Sequence, residues 1–484
     1  MTNAKSLRTL GVALACAAIT FSHAVCAQAQ TVTYLANFNG RNGSVPGPVI
    51  QATDGNFYGT TFAGGTHSKG NVFRMTPTGE ITSIYSFCSQ ANCADGQAPF
   101  TAPVLGSDGN LYGVTSLGGK NAGVIYKLTL GGKITILHTF CSSSCGDGDD
   151  PTGLTLGSDG NFYGTTTSDG KFDSGTVFQI SPTGNFKLLH TFCSLANCAD
   201  GGIPTFPPMQ GSDGKLYGGT NAGGTGGFNG GGEIYQLALD GTFKVIQNFC
   251  YGFSETCFTG AYPSGLLQDD QGNFFGTNSN GGSYDSGTVF EITSTNKFVG
   301  LHRFIYGGKV APSWGLTLAS DGKLYGVATD DANFASATGN KPSIYGIIFR
   351  ITPAGEFTTL ASFYNGPSGP LFQGTDGNLY GTTGEGGPGD SGYGYGTVYK
   401  ISIGSSPMVK TVPTAGKVGK QVLILGNGLT GTSSVTFSSV PAAFTVESDT
   451  YIKATVPKGA TTGVVSVVTP AGTLNSNPQF VVTK

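Results

Sequence analysis

Seven copies of one pattern about fifty residues long, four short apolar runs in each copy, and an N-terminal run matching the fourth of them predict an all-β chain. The expected architecture is a seven-bladed β-propeller followed by a small immunoglobulin-like β-sandwich. Composition agrees. Glycine supplies 80 of 484 residues and charged residues only 11%, yet hydrophobic residues reach 38%, so core formers are present that a disordered glycine-rich polymer lacks. Many short strands joined by tight turns account for that mixture.

The copies align on a DGN-type core that begins at Asp54, Asp108, Asp159, Asp213, Gln271, Asp321 and Asp376, spaced 50 to 58 residues apart. In the third copy the four apolar runs are "GLTL", "NFYGTT", "GTVFQI" and "FKLLHTF", here called a, b, c and d. A solenoid of β-turns is the competing architecture, but its repeats are usually shorter than four strands. The two ends of the array decide for a ring. The run "TVTYLANF" at 31–38 matches the d segments, while the seventh copy has a, b and c ("GTVYKI", 396–401) but no d. The N-terminal strand can therefore complete the last blade and hide an edge that would otherwise invite aggregation. Antiparallel order then puts the uniform a–b and c–d turns on one face of the disc. The long, variable b–c and d–a connections fall on the other, where position-specific loops on a rigid scaffold usually bear function.

The array is expected to span 30–403, preceded by an export signal (1–29) and followed by a β-rich tail (404–484). Lys5 and Arg8 precede the apolar run "LGVALACAAITF", too short to span a bilayer, and "AQA" at 27–29 is a plausible cleavage site. "HAVC" ahead of the signal's end departs from a lipoprotein pattern at Cys26. No second apolar run of spanning length follows, so a soluble, exported monomer, secreted or held at the cell surface, is expected. A formal net charge of −3 gives no electrostatic reason to expect nucleic acid. Eight cysteines remain after the signal, in the local pairs Cys88/Cys93, Cys141/Cys145, Cys193/Cys198 and Cys250/Cys257. In an exported chain these read as disulfides. Zinc would need two pairs to converge, with only His67, His138, His190 and His302 in support.

In the tail, Pro413, Gly416 and Gly419 precede "VLILGNGL", then "VTF", then "ATVP" at 454–457. This pattern resembles the IPT/TIG immunoglobulin-like family, whose domains commonly serve as binding or spacer modules in extracellular proteins. The repeats, of the form "GSDGNLYGTT…GG…GTVFKI", resemble the GloVer tandem-repeat family of exported bacterial proteins, with Gln271 and Phe275 departing from the usual Asp and Tyr in the fifth copy. That resemblance implies an exported propeller and no established activity.

The repeated aspartate has two readings, a calcium ligand or a turn. Counting an EF-hand loop from Asp159 places Tyr163 at position 5 and Gly170 at position 12, where oxygen ligands are required. A hairpin turn with local hydrogen bonding is the better reading. The sialidase Asp-box separates Ser from Asp by one residue, whereas Ser158 and Asp159 are adjacent. The tyrosine that repeats with the turn, Tyr163 in the third copy, suits packing between blades. His138, His190 and His302 recur at one place in the d segments and suit structure as well.

Features that do not repeat are the candidate ligand-binding residues. Asp95, Asp147, Asp149, Asp150 and Asp200 in the d–a loops could form an acidic arc that binds calcium or a cationic group, or could be solvated turn acids. No cofactor is expected, calcium being the one possibility. Trp314, the single tryptophan, and Phe206 are bulky members of an otherwise small ring at the channel mouth (Gly47, Thr101, Thr152, Ser264 and Gly369). They could form an aromatic platform for a sugar or plug the channel. No G-x-S-x-G nucleophile, phosphate loop or zinc signature is present. The leading expectation is a binding protein for a carbohydrate or protein ligand. The alternative is a polysaccharide hydrolase or lyase, which needs converging carboxylates.

Overall fold

The structure, a computed structural model, describes residues 31–141, 146–223, 230–250, 258–282, 286–304, 310–329, 346–363, 366–386 and 394–483. Cys26, Cys145, Cys257, Asp285, Asp330, Asp331 and Asp390 lie outside the described residues, as does the expected export signal. The described residues hold strands, two single-turn 3-10 segments and no α-helix.

The repeats form seven antiparallel sheets, each running from the a strand to the d strand, in chain order in the first six. In the third sheet these are Asp149–Leu156, Phe162–Ser168, Thr176–Ile180 and Phe186–Thr191. Phe162, Tyr163, Gly164, Thr165 and Thr166 are all buried, whereas Phe186–Thr191 is partly exposed along its length. A strand covered on both faces must lie between other layers, so each sheet is sandwiched by its neighbours with the d strand outermost. The glycine of the repeated "YG" step makes this close fit possible. A Cβ at Gly164 would collide with the Phe178 ring on the adjacent c strand, and the other six copies place Phe or Tyr against the same glycine.

Adjacent sheets interlock through the repeat's own aromatic residues. Tyr112 stacks on Phe162 of the next sheet with ring centroids 4.1 Å apart, and Tyr380 of the seventh sheet meets Phe57 of the first at 4.2 Å. On the outer rim His138 stacks on Phe186 at 4.0 Å and His302 on Phe357 at 3.9 Å. The recurring histidines therefore pack between sheets.

The seventh sheet is completed from the N-terminus. Val32–Asn37 pairs antiparallel with Thr397–Ile401, as the one-segment offset of the repeats requires. Gln51 of the first sheet accepts the Thr375 N–H of the seventh at 3.0 Å, and Gln210 and Gln373 make the same bond to the preceding sheet.

The C-terminal segment builds two further four-stranded sheets and a parallel pair, Ala415–Lys417 with Val481–Thr483. They enclose one core containing Val422, Ile424, Phe437, Ile452, Val465 and Phe480. This unit docks on the short-turn face of the array, a placement with no counterpart in the sequence pattern. Met408 N–H donates to the Thr375 carbonyl at 2.9 Å, and Asn427 Nδ2 donates to the Thr375 hydroxyl at 2.8 Å. Thr450 Oγ1 donates to the Thr53 carbonyl at 2.6 Å. Leu425 joins a buried cluster with Ala52 and Leu105, at the ends of the first two a strands.

Candidate ligand site at the centre of the loop face

The repeated aspartate is settled by its partners. Asp159 accepts hydrogen bonds from the Asn161 N–H at 3.0 Å, Asn161 Nδ2 at 2.7 Å and the Tyr163 hydroxyl at 2.9 Å. Burial, with the Asp159 charge and hydrogen bond beside it, pushes the Tyr163 hydroxyl pKa well above its ordinary value. The carboxylate caps a turn and anchors the tyrosine that packs between sheets. In the fifth copy, where Gln271 and Phe275 stand instead, Asp269 takes over by accepting the Asn273 N–H at 2.8 Å.

Two of the five candidate loop acids turn inward. Asp95 is fully buried and accepts from Tyr85 OH at 2.6 Å, from both the N–H and hydroxyl of Ser89, and from the Gln90 N–H. Asp200 is equally buried, holding Ser194 Oγ at 2.6 Å and the Leu195 N–H at 3.0 Å, with His190 Nε2 at 3.3 Å. Burial acts to raise both carboxyl pKa values, but these hydrogen bonds outweigh it and hold both below the usual carboxylate range. Each organises a short disulfide loop, Cys88–Cys93 and Cys193–Cys198. Cys141 and Cys250 are also disulfide-bonded. Asp95 and Asp200, expected as ligand candidates, thus brace their own loops, their oxygens already accepting from loop donors.

The other three acids stay together between the second and third sheets. Asp147 pairs with His138 at 2.8 Å, and Asp150 accepts from Thr167 Oγ1 at 3.2 Å. Burial raises the Asp149 pKa, and the like charges of Asp150, Asp169 and Asp147 add to the effect. Among the described residues no three His, Cys, Asp or Glu side chains are grouped to hold a metal ion.

The aromatic candidates do converge. The a strands surround a cavity of about 560 Å³, to which the seven sheets contribute Pro48, Thr101, Thr152, Phe206, Ser264, Trp314 and Pro370. In the fourth and sixth sheets the a strand is interrupted where the bulky residue sits, at 205–208 and 313–316. Their carbonyls are fixed from the preceding sheet, Phe206 by Thr165 Oγ1 at 3.1 Å and Trp314 by Thr277 Oγ1 at 3.0 Å. Two further rings gather at the mouth. Phe100 lies 5.4 Å from Trp314, and Phe62 meets Phe100 edge-on at 6.2 Å. Phe62 and Phe100 remain 42% and 38% exposed, so they present a surface instead of filling a core. Gly47 admits this arrangement, since a Cβ there would strike the Phe100 carbonyl. Comparing the channel-ring position alone misses both phenylalanines. The signal for Phe62 was present, because the other copies carry Ser, Thr, Asn or Gly at its place.

Among the described residues the cavity lining contains no Asp, Glu, His, Lys or Arg. Its unused polar capacity lies in Thr101 Oγ1 and Asn221 Oδ1, both buried and without a hydrogen-bond partner among the described residues. Such groups normally find a partner, so these are available to orient a ligand. A mostly apolar pocket with aromatic walls and a few convergent polar atoms is the usual form of a small-molecule site.

With the fold and the cavity defined, comparison with known proteins places the chain among tandem-repeat proteins with an appended IPT/TIG domain. It belongs to the Gloeobacter/Verrucomicrobia repeat family, whose model matches residues 20–225 and 194–366, and residues 408–482 match the IPT/TIG domain. No curated protein matches the chain. Among solved structures, a puromycin hydrolase mutant is similar at 13% identity and a TM-score of 0.43, over 70% of this chain and 50% of that one. The chain therefore spans half the length of that hydrolase. A gluconolactonase from Xanthomonas campestris is 14% identical (TM-score 0.37, 62% of this chain and 86% of that one). The PQQ-bound aldose sugar dehydrogenase from Streptomyces coelicolor is 14% identical (TM-score 0.41, 77% and 98%).

Proposed function

We propose that the protein is an exported interaction protein, secreted or held at the cell surface, that binds the sugar end of a glycan in the central cavity of its loop face. In this reading the seven sheets are the blades of a seven-bladed propeller spanning 30–403. Residues 404–484 form an immunoglobulin-like sandwich, 1–29 are removed as an export signal, and the mature chain acts as a monomer. The observation that supports it best is the aromatic group of Trp314, Phe100 and Phe62 beside a cavity whose described lining residues carry no charge. Aromatic faces suit the apolar faces of sugar rings, and Thr101 and Asn221 supply orientation. A hydrolase or lyase would need two carboxylates facing each other across the cavity, about 5–9.5 Å apart for a glycosidase. Among the described residues the lining supplies neither.

The test is a glycan-binding screen of the mature protein with turnover assayed on every hit. Trp314→Ala is expected to weaken a hit by at least about tenfold, the effect of losing one buried aromatic anchor. Because Trp314 also packs on the cluster of Tyr325 and Leu371, the thermal midpoint is expected to fall as well, and affinities are compared well below it. Unchanged affinity would remove Trp314 from the site, and turnover of a hit would favour the enzyme instead.

A further inference from the structure

The hydroxyls around the cavity are spent on holding the protein together. Thr205 Oγ1 donates to the Pro263 carbonyl of the next sheet at 3.1 Å. Thr165 Oγ1 donates to the Phe206 carbonyl and Thr277 Oγ1 to that of Trp314. These two threonines in turn accept from hydroxyls of the lining, Thr152 at 2.6 Å and Ser264 at 2.9 Å. Ser313 Oγ donates to the Ala311 carbonyl at 3.1 Å, and Ser279 Oγ to Asn280 Oδ1 at 3.1 Å. Thr152, Thr205, Ser264, Ser279 and Ser313 all line the cavity, yet each gives its proton to protein. Pro48, Pro207, Pro263 and Pro370 of the lining have no N–H to offer. Ile50, Leu154, Leu266, Leu316 and Leu371 add aliphatic wall from five different sheets.

Donors are therefore scarce in a cavity of about 560 Å³. Thr101 Oγ1 and Asn221 Oδ1 are its buried, unpartnered side-chain atoms among the described residues, and the second is an acceptor only. Thr101 is left over because Val114 stands where Thr165 and Thr277 accept in the third and fifth copies. A pyranose carries several hydroxyls, and each one buried without a partner costs affinity. An acyl group asks for less. Its hydrocarbon end suits the aliphatic walls, and its single carbonyl needs one donor, which the Thr101 hydroxyl has left. Trp314 lines the cavity and also meets Phe100, so these walls run on into the aromatic group. We infer that the glycan end bound here is acylated, with the acyl group in the cavity and the sugar ring that carries it against Trp314, Phe100 and Phe62. This rests on the reading of the site as a glycan site and names its ligand class.

The experiment is calorimetric titration of the full mature protein with oligosaccharides of equal length whose terminal glucose is unmodified, acetylated, propionylated or butyrylated. Affinity is expected to rise about fourfold per added methylene, the transfer free energy of one buried CH₂ expressed as an affinity ratio. The emission of Trp314, the single tryptophan, should move to shorter wavelength as the acyl group displaces water. Leu266→Asn should shrink the gain along the series while leaving the unmodified ligand's affinity. A full gain in that variant, or a gain without any change in emission, places the acyl group elsewhere and overturns the inference. A flat series, with every ligand weakened by Trp314→Ala, also overturns it and leaves the glycan site standing. Failure of all four ligands to bind overturns it and counts against the glycan reading itself. Ethyl butyrate, which has no sugar, should bind at least about tenfold more weakly than the butyrylated oligosaccharide, the scale of a lost aromatic anchor. Equal binding removes the sugar and overturns both readings. Should Leu266→Asn not fold, the series and the emission of the unmodified protein still decide.

Discussion

Asp159 and Trp314 show how differently two conspicuous residues are used. Asp159 has a liganding side chain, yet its oxygens are occupied by Asn161 and Tyr163 of its own repeat. Replacing it with Ala removes the turn cap and leaves the Tyr163 hydroxyl without its acceptor. A loss of about 1–3 kcal/mol in unfolding free energy is expected, with ligand affinity unaltered. Denaturant titration of Asp159→Ala checks this, and an unchanged midpoint would mean that the turn holds without the carboxylate. Repetition made this role legible, because a residue present in nearly every copy serves the array. Trp314 stood out for the opposite reason, as a break in the repeat. Its contact with Phe100 was not legible, since the sixth and first repeats are brought together only by the ring.

At the scale of elements, the disulfide loops explain why acids in variable segments need not be ligands. Asp95 and Asp200 occupy matching places in two loops, each following a 3-10 turn, Ala91–Cys93 and Ala196–Cys198. A carboxylate with a depressed folded pKa contributes stability that is fully present above its unfolded pKa, near 4, and is lost as pH falls through the folded value. The loop at 193–201 should therefore loosen only in strong acid. Hydrogen exchange at the Ser194 and Leu195 amides measures it: protection is expected to hold to about pH 4 and decline below. Asp200→Asn should lower that protection at neutral pH, and a variant as protected as the wild type would deny the brace. Sequence spacing predicted the local cysteine pairs, and the structure forms Cys88–Cys93 and Cys193–Cys198. Which loop acids turn inward depended on the loop's backbone amides, which a residue pattern does not display.

The whole molecule adds two dependences between distant parts of the chain. The first is closure, since Val32–Asn37 supplies the last strand of the seventh sheet. Deleting 31–37 bares the Thr397–Ile401 edge, and unpaired edges recruit other chains. A lower thermal midpoint and concentration-dependent association in light scattering are expected. A monomer of unchanged stability would show that the strand is dispensable.

The second is docking of the C-terminal domain over Lys410. Burial lowers the pKa of this lysine from 10.5 to about 7. A free lysine stays charged up to its ordinary value, so below about pH 7 docking bears the whole cost of the buried charge. Between about pH 7 and 10.5 that cost declines as the docked lysine releases its proton. The docked state should gain thermal stability from pH 7 to pH 9 through this group, and Lys410→Met should abolish the gain. A midpoint that falls equally in both proteins over this range would exclude Lys410 as its source.

The sequence by itself determined the all-β class, the number of repeats, the N-terminal strand's match to the missing d segment and the IPT/TIG-type tail. These follow from periodicity and turn chemistry, which act between neighbours along the chain and are written in order. Only the tertiary structure decided which faces meet. It assembled the aromatic group of Phe62, Phe100 and Trp314, turned Asp95 and Asp200 inward, and set the C-terminal domain on the short-turn face with Lys410 over the Phe372 ring. Those contacts join residues up to several hundred positions apart, and their energies depend on burial and on a partner's position. A linear pattern carries neither.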